Sequence, residues 1–195
     1  YLSNDSQYIG NLKGHRGDKK LIHYDTEQGD YYAHRVFNRV YKMSNEPKDY
    51  LCYRLREYSS QKRRDFIDWH LQSRDDIGFV VIDGIADLMV DTNDIVESNE
   101  MIQMLMYWTK NYNIHIMTVI HSNYNSTKPT GHLGSFLEKK AETQIALNVD
   151  EDTNETVVKC MRSRGQPFDD FVFKITNGYP YVDRDLSEEG DFFKI

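Results

Sequence analysis

Three apolar runs in this chain end in side chains that could do chemistry. Asp25 and Glu27 follow Leu21-Ile22-His23-Tyr24, Asp83 closes the run from Ile77, and His121 and Asn123 follow Ile114-His115-Ile116-Met117-Thr118-Val119-Ile120. A carboxylate beside a reacting phosphate can orient a water and take its proton. A second carboxylate can hold magnesium, directly or through water. A polar group on a third strand end can touch a terminal phosphate. Together they make a phosphoryl-transfer set. Asp83 taken alone would serve equally well as a cap for the turn at Gly84, and polar strand ends are general in doubly wound proteins. The succession of three is the stronger signal. His15, His23, His34, His70 and His115 show no ligand spacing and read as surface or core side chains.

Groups of this kind need a sheet to carry them. Short Val, Ile and Phe runs bounded by polar residues read as strands buried on both faces, which belong to parallel sheets covered by helices. Ligands of open α/β sheets bind at the carboxyl ends of such strands. The pattern predicts strands at 21–24, 50–55, 77–83 and 114–120. A helix over 31–42 carries the stripe Ala33, Val36, Phe37, Val40 and Tyr41. A second runs over 61–73 after a cap at Ser59 or Ser60, with Phe66, Ile67 and Leu71 inward and Lys62, Arg63 and Arg64 on a solvated face. A third follows the polar loop 91–94 and is capped by Ser98, with Met101, Ile102, Leu105, Met106 and Thr109 on one face, widened by Met104 and Trp108. After a polar loop over 124–134 come a short helix over 135–142 and strands at 143–149, 156–161, 171–175 and 179–182, the last pair joined by the hairpin signal Asn177-Gly178. The fold class is therefore α/β: a mostly parallel, doubly wound sheet with an antiparallel C-terminal extension. Residues 1–20 read as an irregular segment, with Tyr8, Ile9 and Leu12 in the last turns of a helix and a basic turn over 14–20. Residues 21–182 form the core, and 183–195 an acidic tail.

The 195 residues, 39% of them hydrophobic, suffice for one domain with a sizeable core. A net charge of −7 excludes a basic nucleic-acid-binding module, although a local basic loop can still meet phosphate because fields are screened within about 10 Å. Cys52 and Cys160 lack C-x-x-C spacing, which points to a reducing compartment and no structural zinc. No run matches a membrane span and no secretory leader opens the chain, so the expectation is a cytoplasmic protein without a membrane partner.

The segments LIHYDTEQ (21–28), FVVIDGIADL (79–88), TVIHSN (118–123), KPTGHLGSFLEKKAET (128–143) and VKCMRSRGQPFDDFVFKI (158–175) add a further signal. Over about residues 18–182 the chain resembles the RecA-type P-loop ATPases, most of all the RepA-like hexameric replicative helicases of plasmids, mobile elements and phages. The resemblance implies a RecA-like fold, with ATP and Mg2+ as ligands and a homo-oligomeric ring, the family's being hexameric, around single-stranded DNA. It implies that Glu27 polarises the attacking water, that Asp83 on the Walker B strand holds magnesium, and that His121, with Asn123 as second choice, senses the γ-phosphate. It places Lys128, Gly131, His132 and Gly134 in a loop facing the DNA-filled pore, where a plain connector is the alternative. It places Arg162 and Arg164 where related rings present an arginine finger to the neighbouring subunit.

The family's phosphate loop, G-x-x-x-x-G-K-[ST], is absent from these residues. The expectation is that it lies upstream, in a larger protein of which this is a part. The function expected is a helicase-type ATPase acting on single-stranded DNA in the replication or mobilisation of a plasmid, transposon or phage. The alternative is a non-catalytic RecA-like module for assembly or DNA docking.

Overall fold

The structure, a computed structural model, describes residues 1–2, 8–9, 12–44, 47–124, 126 and 128–182. The expected tail at 183–195 lies outside them. The described residues fall into two compact units. One comprises Gly14–Ala141 with Tyr1 and Leu2; the other comprises the residues from Glu142 with the strands at 8–9 and 12–13.

Two short strands, β1 (Tyr8–Ile9) and β2 (Leu12–Lys13), pair antiparallel. The helix end expected here is not formed. Ile9 and Leu12 are separated by Gly10-Asn11, a dipeptide that favours a hairpin and disfavours a helix.

The first unit is built on β3 (Lys20–Asp25), β4 (Tyr50–Arg54), β5 (Ile77–Asp83) and β6 (His115–Val119). All four are parallel, in the order β4-β3-β5-β6. Between them run α1 (Asp30–Met43), α2 (Ser60–Gln72) and α3 (Ile95–Asn111), and α4 (Gly131–Lys140) follows β6. Helices cover both faces. Ile22, Tyr24, Val80 and Ile82 pack with Ile67 and Leu71 of α2 and with Met101, Ile102, Leu105 and Trp108 of α3. On the other face Leu21 and Val81 pack with Leu2, Val40 and Tyr50, and Phe37 of α1 sets its ring edge-on to His23. Burial on both faces explains why β3 and β5 are near-continuous apolar runs. Each Ile or Val so buried contributes roughly 1.5–3 kcal/mol.

The helix starts follow their caps. Ser59 accepts from the Lys62 N–H and opens α2, as its residue type predicts. For α3 the cap is Asp94, not Ser98. Asp94 Oδ1 accepts from the Glu97 N–H at 2.8 Å, while the Glu97 carboxylate reaches back to the N–H groups of Val90 and Asp91. That reciprocal arrangement starts the helix one turn earlier and leaves Ser98 fully buried. The buried face is that of Met101, Ile102, Leu105 and Trp108, while Met106 is exposed. Arg63 and Arg64 are not a solvated face. Arg63 donates to the carbonyls of Leu55, Arg56 and Asp87, and Arg64 pairs with Glu97 at 2.9 Å.

The second unit is an antiparallel sheet in the order β10-β9-β8-β7, built from β7 (Thr143–Asp150), β8 (Glu155–Ser163), β9 (Phe171–Thr176) and β10 (Tyr179–Tyr181). It does not extend the parallel sheet as expected. These strands alternate apolar with polar residues, the pattern of a sheet with one wet face, whereas the parallel strands are apolar on both sides. The Asn177-Gly178 hairpin forms as its sequence predicts, with φ of 52° and 84°.

Trp108 donates its Nε1–H to Asp68 Oδ1 at 2.7 Å, and Tyr112 donates to the same oxygen at 3.2 Å. Asp68→Ala leaves a buried indole N–H without an acceptor. It should cost about 1–3 kcal/mol, read as a lower urea midpoint. Asp68→Asn, which keeps an acceptor oxygen, should lose less.

Candidate functional site

Parallel pairing puts the carboxyl ends of β3, β4, β5 and β6 on one rim. In register, Asp25 lies opposite Arg54 on one side and Asp83 on the other, and Asp83 lies opposite Val119. Side chains opposite one another in register share a face of the sheet, so the two carboxylates are neighbours on the α1 side, with His23 two residues back on the same face.

The rim is tied together by Thr26, which is buried. Its N–H donates to the Asp83 carbonyl at 3.0 Å. Its Oγ1 lies 2.9 Å from the same carbonyl, 2.8 Å from that of Gly84 and 3.1 Å from Asp87 Oδ2. One hydroxyl proton is thus shared among three acceptors. Gly84 has φ of 99°, and a Cβ there would stand 2.5 Å from Thr26 Oγ1. Glycine at 84 is therefore demanded both by the backbone conformation and by the closeness of Thr26.

Asp25 is fully buried. Its Oδ1 accepts from the N–H groups of Glu27 at 3.1 Å and Gln28 at 2.8 Å, which shapes the turn that presents Glu27. Its Oδ2 has no hydrogen-bond partner, and neither does His23 Nε2, which stands 3.8 Å from Asp83 Oδ2. His23 Nδ1 meets the Tyr50 hydroxyl at 2.8 Å. Burial raises the Asp25 carboxyl above the usual carboxylate range. The two N–H groups pull it back, and the charge of Asp83 pushes it up further. On β4, burial pushes the Cys52 thiol up to about 11, so that thiol is not a nucleophile here.

Glu27 is about half exposed and meets His121, whose Nε2 lies 3.1 and 3.3 Å from its two carboxylate oxygens. His121 is itself fixed through its backbone: its carbonyl accepts from the N–H and the hydroxyl of Thr130, at 3.0 and 2.9 Å. Asn123 N–H donates to the Lys128 carbonyl at 2.9 Å, and Ser122 bridges to Pro129. The segment after β6 therefore folds back as a small hairpin that braces His121. Of the expected site residues, Glu27, Asp83 and His121 share the rim, and Asn123 lies in the hairpin beside them.

The expected pore loop divides. Lys128 is exposed, and Asn125 and Thr127 lie outside the described residues. Gly131, His132 and Gly134 belong to α4, which begins four residues earlier than its sequence suggested. The Gly134 N–H donates to Thr130 within the helix and is not available to a ligand. The two glycines allow close packing: a Cβ on Gly131 would stand 2.6 Å from the Thr92 carbonyl oxygen, and one on Gly134 2.6 Å from Pro129 Cβ. His132 is exposed. Arg162 on β8 and Arg164 just after it are exposed and belong to the second unit.

Asp83, partly exposed, and Asp25, with an unpartnered buried oxygen, are hard oxygen donors of the type magnesium takes, and an ion held mainly by water needs no more from the protein. Among the described residues, no group of three or more His, Cys, Asp or Glu is placed to hold a metal ion. None of the described helices is long and apolar enough to cross a membrane. Asp25 was named as a strand-end carboxylate but not for the turn it shapes, and Thr26 and Arg63 are residues whose importance the sequence understated. A polar residue directly after a buried strand was the available signal for the first two.

No protein-family model matches the chain, and no curated protein sequence matches it either.

Asp25 gives a pH signature. A raised value in the folded state means that folding binds this proton, so the carboxyl's contribution to stability is most favourable below the ordinary carboxylate range and declines as pH rises through the folded value. Asp25→Asn keeps an oxygen for the two N–H groups and removes the charge. Its melting midpoint relative to the unaltered protein should improve from about pH 4 to about pH 8. A constant difference across that range would show that the buried charge carries no penalty.

Proposed function

We propose that the first unit is the catalytic half of a RecA-like ATPase of the helicase type, acting on single-stranded DNA. The setting would be the replication or mobilisation of a plasmid, transposon or phage. The observation that carries the reading is the Glu27–His121 contact on the rim shared with Asp83. It joins a carboxylate able to act as a base to a group from a different strand, beside a carboxylate of the kind that holds magnesium. Glu27 is the group that takes the proton of the attacking water. The Asp25 turn sets its backbone, and the imidazole of His121 orients its carboxylate. His121, on its braced hairpin, is the group placed to respond to a terminal phosphate. Asp83 holds magnesium, with Asp25 behind it; the ion, when bound, neutralises charge on the phosphate oxygens. Arg162 or Arg164 of a neighbouring copy supplies positive charge in trans within a homo-oligomeric ring.

The alternative is a non-catalytic module for assembly or DNA docking, which absence of a G-x-x-x-x-G-K-[ST] segment from the whole natural gene product would favour. ATP turnover separates the two. In the natural gene product that contains these residues, Glu27→Gln should lower ATP hydrolysis by roughly 10²–10⁴-fold while leaving nucleotide binding nearly intact. Hydrolysis at the unaltered rate would remove Glu27 from the role of base, and no hydrolysis by the unaltered protein would favour the docking module.

Lys128 is exposed on the arm of the hairpin, beside the Ser122–Pro129 bridge, and is the residue expected to meet DNA phosphate. Lys128→Ala should weaken single-strand binding and reduce the slope of log affinity against log salt by about 1. An unchanged slope would make the hairpin only a brace for His121.

A further inference from the structure

A second cluster on the carboxyl rim is not used by this chemistry. It lies where β3 and β4 end. The Leu55 N–H donates to the Asp25 carbonyl at 2.7 Å, which brings the segment after β4 against the turn that opens α1. Arg56 lies directly on that turn: a Cβ on Gly29 would stand 2.9 Å from its Nη1. Arg54 pairs with Asp30 in the first turn of α1. The next two residues are Tyr31 and Tyr32, whose side chains are 68% and 61% exposed. Their rings meet edge to face, with centroids 5.3 Å apart and planes at 81°. The Arg35 guanidinium lies 5.8 Å from the Tyr31 ring centroid. Tyr58, at the end of the β4 segment, is also 53% exposed.

A pair of adjacent aromatic rings left this open on the first turn of a helix is not doing core work. Rings interleaved with guanidinium groups are the composition that takes up unpaired bases: the ring faces stack the base, and the cations meet the phosphates on either side. Asp30, Glu57 and the half-exposed Glu27, two residues before Gly29, are the acidic residues of these segments, and Asp30 pairs with Arg54. The cluster stands out in a chain whose net charge is −7.

We propose that Tyr31 and Tyr32, flanked by Arg35 and Arg56, form a base-stacking platform for single-stranded nucleic acid at the mouth of the candidate active site. The platform shares its nucleic-acid partner with the function proposed above, but it requires no ATP turnover. A free nucleotide offers the same base and phosphate chemistry, and the test separates the two sources.

The test uses the 195-residue chain and fluorescence anisotropy with a labelled 15-nucleotide oligothymidine, and with an abasic strand of the same length that keeps every phosphate. The unaltered protein should prefer the oligothymidine. The Tyr31→Ala/Tyr32→Ala variant should bind it more weakly by about 5- to 150-fold per stacked base lost and should no longer distinguish it from the abasic strand. Tyr31→Phe/Tyr32→Phe, which keeps both ring faces, should bind like the unaltered protein. Both positions are exposed, so circular dichroism should show each variant folded. Unlabelled ATP or thymidine monophosphate, at the same nucleotide concentration as the strand, should fail to displace it. Equal affinity of the alanine variant and the unaltered protein would overturn the proposal. So would a phenylalanine variant as weak as the alanine one, no measurable binding of oligothymidine by the unaltered chain, or displacement by the mononucleotides, which would assign the cluster to a free nucleotide. If stacking is seen while the natural gene product hydrolyses no ATP, the platform stands and the motor reading falls.

Discussion

The carboxyl rim depends on one side chain with no charge. Thr26 is buried between the ends of β3 and β5, and through its N–H and hydroxyl it ties its own turn to the carbonyls of Asp83 and Gly84. Those carbonyls belong to the last residue of a strand and the first of a left-handed turn, and the Gly84 carbonyl also accepts from the Asp87 N–H at 3.0 Å. The latch fixes where Glu27 leaves the sheet relative to Asp83. It also excludes any side chain at position 84, because a Cβ there would collide with the hydroxyl. The spacing of the reactive groups follows from this small uncharged contact.

Around it the electrostatics are set by register. Parallel pairing places Asp25 directly opposite Asp83, and like charges on neighbouring strands are unfavourable unless something offsets them. Two backbone N–H groups bound to Asp25 offset part of the repulsion. The remaining oxygen of Asp25 and Nε2 of His23 stay buried and unpartnered. Buried polar atoms without partners are uncommon in folded proteins, and these two lie beside two carboxylates.

The neighbouring elements support that rim in different ways. Arg63 gathers the carbonyls of three loop residues from one helix position. Glu97 holds the turn before α3 in the opposite sense, its carboxylate accepting from the N–H groups of Val90 and Asp91. The hairpin after β6 holds His121 through its carbonyl and leaves the imidazole to face Glu27. Side chains from elsewhere in the unit thus satisfy several of the backbone groups around the exposed acid and imidazole.

What the sequence determined by itself was the order and type of the elements in the first unit and the identity of the strand-end residues. Apolar runs of strand length, helical stripes and the Asn177-Gly178 hairpin are local signals, set by side-chain period and backbone preference, and they were legible at β3, β5, α2 and β10. Local signals failed where two local solutions competed, as at the start of α3, where Asp94 with Glu97 outcompeted Ser98, and at α4, where close approach to Thr92 and Pro129 made helical glycines out of an expected loop. Only the tertiary structure decided which residues meet across strands. The Glu27–His121 contact joins groups 94 positions apart, the Thr26 latch joins groups 57 and 58 apart, and the separation of the antiparallel strands into their own sheet follows from which faces find cover. Pairing of distant strands depends on the sum of many buried contacts, and no single stretch of sequence contains that sum.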